Sequence, residues 1–183
     1  EVRRTGRPGR PGWRSDAIRN GIGLVTEDRK VQGDVRNHSI AENIAYANHG
    51  AISRNGGISS RRVRGYADEC IRKFGVKGRG GQNAGELSGG NQQKVVLAKW
   101  FHAGGRILIF DEPTRGVDVG AKTEIYSLIK SLAAEGRAVL VISSEHLELF
   151  GLCDRVLVMR EGRLTGSRLP AEYSQEDKLK LAM

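Results

Sequence analysis

Long apolar runs are missing from this chain of 183 residues, and no stretch approaches the ~18–20 residues that a membrane-spanning helix needs. Residues 1–14 hold Arg, Gly and Pro without an apolar centre, so they do not read as a secretory signal peptide. Only two cysteines occur, Cys70 and Cys153, far apart and in neither a CxxC nor a metal-ligand spacing. That pattern predicts two free, reduced thiols rather than a disulfide framework or a zinc site. Aromatic residues make up 5% of the chain and are not interleaved with its basic clusters, which argues against a nucleic-acid groove. No internal repeat or long low-complexity tract is present.

Acidic residues are in the minority, 21 against 30 Lys and Arg, which gives a net charge of +9. The excess is uneven. Arg3, Arg4, Arg7, Arg10 and Arg14 crowd the start, and Arg54, Arg61, Arg62, Arg64, Arg72, Lys73, Lys77 and Arg79 form a second cluster. Basic surface raises nucleic acid or an anionic membrane as partners. Without a helix-turn-helix or RNA-binding signature, a solvated face is the expectation. The length and a mean hydropathy of −0.42 suit one soluble globular domain with a buried core.

The pattern of what is present alternates strand and helix. Ile22 to Thr26 reads as a short apolar strand, preceded by a helical turn over Ser15 to Asn20 and followed by the charged loop Glu27-Asp28-Arg29-Lys30. Ser39 with Glu42 three residues later makes a capping box for a helix running to Ala47. Residues 50–57 read as a glycine-containing loop. A helix from Ser59 to Phe74 follows, with Val63, Ala67, Cys70 and Phe74 on its apolar side. After another glycine-rich connector, Ser88 caps a helix that Gly104-Gly105 stops. Ile107 to Phe110 is a continuous apolar strand, as expected where both faces of a parallel sheet are covered. Asp118 caps the next helix and Gly136 ends it; Ala138 to Ile142 is a strand, His146 to Leu152 a helix, and Glu161-Gly162 turns a hairpin. Ser174 with Asp177 suggests one more short helix. Strands joined by helical crossovers predict an α/β fold with a mostly parallel sheet, and the mainly helical 37–86 region predicts an inserted helical subdomain.

Two pieces between Leu87 and Asp118 carry phosphate chemistry. Ser88-Gly89-Gly90 at a helix start leaves backbone N–H groups unobstructed beside the positive end of the helix dipole, a place for a phosphate. An ordinary capped helix would look the same. Asp111-Glu112 ends the apolar strand ahead of Pro113, so one carboxylate could hold Mg2+ through water while the other polarises a water nucleophile. A strand that merely ends in two acids remains the alternative.

Together, Leu87-Ser88-Gly89-Gly90-Asn91-Gln92-Gln93-Lys94 resembles the signature of ABC-type ATPases, and Ile107-Leu108-Ile109-Phe110-Asp111-Glu112-Pro113 resembles their Walker B strand. Glu27 to Lys30, Thr114 to Lys122 and Ser143-Ser144-Glu145 are similar to the second nucleotide-binding half of simple-sugar importers of the ribose, galactose and xylose type. The resemblance covers about residues 15–183. It implies a partial P-loop NTPase core, with the signature-bearing helical subdomain over about 37–103 and Walker B in 104–183. The Arg/Gly/Pro-rich 1–14 are left unassigned.

It also implies an ATPase that uses ATP and Mg2+ and acts peripherally at the cytoplasmic face of the membrane. Its partners would be another ABC half, head to tail, permease subunits reached through Glu27 to about Ala47, and indirectly a sugar-binding protein. No nucleic acid is expected. By resemblance, Ser88, Gly89, Gly90 and Gln92 serve ATP held by the other half. Asp111 holds Mg2+ through water, Glu112 is the catalytic base, and Asp118 is the D-loop aspartate.

The departures are specific. No Gly-x-x-x-x-Gly-Lys-Ser/Thr loop occurs, and no lysine follows a glycine. The family places that loop upstream of Glu27, so the chain is expected to be a C-terminal portion. Glu27 stands where most relatives carry the Q-loop glutamine, and Ser144 where most carry the switch histidine. His146 is expected to be a surface helix residue. The resemblance therefore implies that this half's own ATP site is degenerate. Two other classes stay open here: a non-catalytic half acting only through partners, and a soluble ABC ATPase acting on nucleic acid or ribosomes.

Overall fold

A computed structural model describes residues 13–26, 37–45, 47–54 and 57–174. Its central feature is a three-stranded parallel sheet in the order β1 (Ile22–Val25), β4 (Ile107–Asp111), β5 (Ala138–Ile142). Parallel neighbours need crossovers, and helices supply them. Between β1 and β4 run α2 (Ile40–Ala45), α3 (His49–Ile52), α4 (Ser60–Phe74) and α5 (Gly89–His102). Between β4 and β5 runs α6 (Val119–Ala134). A short helix α1 (Trp13–Arg19) precedes β1. After β5 come α7 (His146–Leu152) and an antiparallel hairpin of β6 (Val156–Arg160) and β7 (Arg163–Arg168).

Local chemistry sets most helix ends. Ser39 and Glu42 form the expected capping box: the Ser39 hydroxyl accepts from the Glu42 N–H at 3.2 Å, and the Glu42 carboxylate accepts from the Ser39 N–H at 2.8 Å. These bonds hold the Glu42 carboxyl below its ordinary range. Ser59 caps α4, and Gly75 ends it in the left-handed region at φ 58°, which glycine adopts without a Cβ clash. Helix α5 is buried almost all round, with Gln92 through Ala98 all inside. It packs on α2 and α4 on one side and on β1 and α6 on the other. One continuous apolar cluster consequently runs from Ile40 and Phe74 through Val95 to Phe110 and Ile129.

Three expectations need correction. Residues 50–57 are not simply a loop. The helical turn α3 leads into the two-residue strands β2 (Ser53–Arg54) and β3 (Gly57–Ile58), anchored by buried Ile52, whose carbonyl accepts from the Ser59 N–H. Strand β4 is not covered equally on both faces. Leu108 and Phe110 are fully buried towards the helices, whereas Ile107 and Ile109 are only half-buried. Leu24, Ile109 and Leu140 lie in one row across the other face, where Leu24, Leu140 and Ile142 remain 44%, 45% and 49% exposed. The first helix spans Trp13–Arg19 rather than Ser15 to Asn20. The Glu27 loop and most of the helix expected after Ser174 lie outside the described residues. Cys70 is buried and Cys153 half-buried, both free thiols, and no described helix is long and apolar enough to cross a membrane.

Candidate functional site

The central strand delivers Asp111 and Glu112 to the C-terminal edge of the sheet, where open α/β sheets place their ligands. Glu112 is held in an unusual conformation, with φ at 47°, for which a non-glycine residue costs about 1–3 kcal/mol. Two bonds fix it there. Its N–H donates to the Ile142 carbonyl at 2.9 Å, and its carboxylate accepts from the Ser144 N–H at 2.7 Å. The tight turn through buried Pro113 and Thr114 closes with the Arg115 N–H on the Glu112 carbonyl. The structure thus joins Glu112 and Ser144, and it is the backbone of Ser144, not its hydroxyl, that touches the carboxylate. No group among the described residues hydrogen-bonds the half-buried Asp111 carboxylate. No cluster of three metal-ligating side chains exists among those residues. That donor set fits Mg2+, which binds through one or two carboxylates plus water and phosphate.

The glycine turn is built separately. Ser88 takes the extended N-cap conformation of α5, but its hydroxyl makes no bond to the helix backbone. Instead it accepts from Asn91 Nδ2 at 2.9 Å, while Asn91 Oδ1 accepts from the Lys77 N–H at 2.7 Å. Asn91 therefore orients the Ser88 hydroxyl and ties it to the connector after α4. Gln92 turns inward. It is buried, and its amide donates backwards to the Leu87 carbonyl at 3.0 Å and the Ala84 carbonyl at 3.4 Å. Gln92 shapes the turn from within.

Gly90 explains why the two ends of this stretch lie together. A Cβ placed there would sit 2.7 Å from the Ala121 Cβ and 3.6 Å from Val117, so the first turn of α5 rests directly on the first turn of α6. Asp118 starts α6, its Oδ1 accepting from the Ala121 N–H at 2.9 Å. The expected D-loop aspartate is thus a helix cap adjoining the glycine turn. Lys94 reinforces the contact from inside. Its buried ammonium donates to the Gly75 carbonyl at 3.0 Å and to Glu124 of α6 at 2.5 Å, and that pairing holds the Glu124 carboxyl below its ordinary range.

Behind Glu112 the importer-like stretches 114–122 and 143–145 meet in a polar cluster around Glu148, a residue that motif reading did not single out. Glu148, on α7, is buried and accepts from Thr114 and Ser143. Lys122 of α6 donates to both carboxylate oxygens of Glu145, at 2.6 and 2.7 Å, which raises its ammonium above the ordinary range. Glu148 carried one visible signal, a lone carboxylate within the apolar run of α7. His146 opens that helix, half-buried.

A parallel sheet with carboxylates on its central strand, and a glycine-led helix packed beside the following loop, define an ATP-binding cassette. The chain belongs to the ABC transporter family, whose sequence pattern matches residues 1–115 and so takes in the Arg/Gly/Pro-rich start. It is 49% identical over 178 residues to the ribose import ATP-binding protein RbsA 3 of Rhizobium meliloti (strain 1021), covering 92% of this chain and 34% of that protein. It is 50% identical over 169 residues to the ribose import ATP-binding protein RbsA of Chelativorans sp. (strain BNC1), covering 92% of this chain and 33% of that one. The chain thus spans about a third of the length of the curated relatives it matches.

Among solved structures, it is similar to cbiO1 from Clostridium perfringens, part of the ABC transporter complex cbiONQ. The TM-score is 0.72 at 24% identity, over 91% of this chain and 65% of that one. A second, an ATP-binding cassette solved as a dimer in a post-hydrolysis state with ADP and Pi, gives a TM-score of 0.66 at 21% identity. It covers 83% of this chain and 64% of that one. These two establish the fold.

Proposed function

We propose that this chain is part of an ATP-hydrolysing subunit of a simple-sugar importer, and that its glycine turn serves nucleotide held by another ABC half. The observation that carries the reading is the joint placement of the two motifs. Gly90 rests on Ala121 beside the Asp118 cap, while Glu112 is fixed by the Ser144 N–H at the edge of the sheet. The ribose-import names of relatives near 50% identity support the substrate class. With Mg-ATP bound, the ligand supplies the phosphoanhydride bond and the cation's charge.

The residues of this chain then divide the work. Ser88, Gly89 and Gly90 offer a hydroxyl and helix-start N–H groups to anionic oxygens across a head-to-tail dimer. Asn91 and Gln92 hold that turn in shape. At this half's own site, which the resemblance makes degenerate, Asp111 would take a hydrated cation and Glu112 would accept a hydrogen bond from water and polarise it. Ser144 keeps the Glu112 carboxylate aimed, and Asp118 links the two ends. Glu27 takes the Q-loop position, where the 27–47 segment would meet permease subunits at the cytoplasmic face of the membrane. The helical segment 37–103 is the part that carries the signature towards the partner. A sugar-binding protein would act through the permease, and no nucleic acid takes part.

Because the 183 residues hold no Gly-Lys-Ser/Thr loop, the chain alone is expected to turn over ATP slowly or not at all. Steady-state phosphate release by the purified chain tests this. Robust turnover that Glu112→Gln abolishes would overturn the assignment of the working role to the glycine turn.

A further inference from the structure

We propose that Glu148 is a positioning residue that brackets the loop after β4 to the loop after β5, and thereby aims the Ser144 N–H at Glu112. Its functional meaning rests on the reading of Glu112 given above. Glu148 is 6% exposed, on a helix of seven residues whose neighbours at Leu147 and Leu149 are apolar. Burying such a group is costly unless hydrogen bonds replace its water. Two hydroxyls do so, one from each loop. Thr114 Oγ1 donates to Glu148 Oε1 at 3.2 Å, and Ser143 Oγ donates to Oε2 at 2.5 Å.

The positions of these donors give the bracket its direction. Thr114 lies two residues after Glu112, and Ser143 immediately before Ser144. Ser143 Oγ also accepts from the Glu145 N–H at 3.0 Å, so the hydroxyl that Glu148 orients closes a turn around Ser144. Lys122 holds the far side of that turn through the Glu145 carboxylate. Ser144 is thus pinned on both sides, and its N–H reaches Glu112 at 2.7 Å. Glu112 needs this support because its φ of 47° is strained. An apolar side chain at 148 would fill the same space but could not accept from two loops at once.

Amide hydrogen exchange on the full chain separates bracketing from packing. Glu148→Leu keeps the volume and removes both acceptors. Ser143→Ala removes one arm without touching the buried position, and Glu148→Gln keeps one acceptor oxygen. Glu148→Leu and Ser143→Ala are expected to speed exchange at Ser144 by about tenfold or more, the scale of a lost hydrogen bond to a charged group. Exchange at Phe110 and Val141 in the sheet stays as in the parent, and Glu148→Gln falls between. Unchanged exchange at Ser144 in Ser143→Ala, or equal acceleration at Ser144, Phe110 and Val141, would overturn the proposal. If Glu148→Leu fails to fold, Ser143→Ala and Glu148→Gln decide. The measurement needs no nucleotide. A sugar importer whose uptake fell equally with Ser88→Arg and Glu112→Gln would therefore sink the proposed division of roles and leave this one standing.

Discussion

Replacing Gly90 with alanine sets a methyl group against Ala121. The added Cβ would lie 2.7 Å from the Ala121 Cβ. Carbon atoms rest at about 3.5–4.0 Å, so one of two helix starts must move by roughly 1 Å. Neither contact atom is the end of a flexible side chain. Overpacking of this kind costs about 1–3 kcal/mol. Alanine in place of glycine within a helix returns about 0.5–1 kcal/mol. The net expectation is a loss of about 1–2 kcal/mol, which for a domain of this size lowers the melting temperature by about 2–8 °C. Ala121→Gly removes the opposing methyl at a helix cost near 1 kcal/mol. In the Gly90→Ala background it should cost less than it does alone, giving a coupling energy of about 1–2 kcal/mol in a double-mutant cycle. Chemical denaturation of the four chains measures it. Strictly additive effects, or a Gly90→Ala chain as stable as the parent, would refute the claim that this glycine exists for helix contact.

Two further outcomes follow from side chains already placed. Asp118→Ala removes the acceptor for the Ala121 N–H and should cost about 0.5–2 kcal/mol in denaturant, whereas Asp118→Asn should cost a small fraction of that. Burial pushes the Cys70 thiol up from 9.0 to about 11, with Glu69 adding to the shift. The neutral thiol's stabilising share is complete below the unfolded thiol's range and is lost as pH climbs through about 11. Stability of the parent should therefore fall more steeply between pH 9 and 11 than that of Cys70→Ala, and parallel denaturation curves against pH would contradict it.

Helix caps and turn glycines were the most legible part of the sequence, because each acts over three or four residues. Ser39 with Glu42, Ser59, Asp118 and Gly136 all mark helix ends that the structure contains. Residues 50–57 were harder, since two-residue strands carry no periodicity and depend on buried Ile52 and the Ser59 bond. The uneven cover of β4 was hidden because Ile107 to Phe110 is apolar at every position, so alternation cannot say which face meets helices. Within the site, chemistry that depends on one residue type at one spacing was visible, namely Asp111-Glu112 and Ser88-Gly89-Gly90. Direction was not. Nothing local says that Gln92 turns inward to Leu87, or that the Ser88 hydroxyl meets Asn91 rather than the helix backbone. Contacts that cross 30 or more residues, such as Thr114 with Glu148 and Lys94 with Glu124, leave only the faint mark of a charge in an apolar setting.

The central claim is that the glycine turn, rather than the carboxylate pair, is this chain's working contribution. Uptake by the sugar importer proposed above, carrying Ser88→Arg or Glu112→Gln in this region, tests it directly. Arginine at 88 would crowd the turn that Asn91 orients and abolish uptake, while glutamine at 112 keeps the bond from Ser144 and should leave most of the uptake rate. Equal losses from the two substitutions would contradict the account.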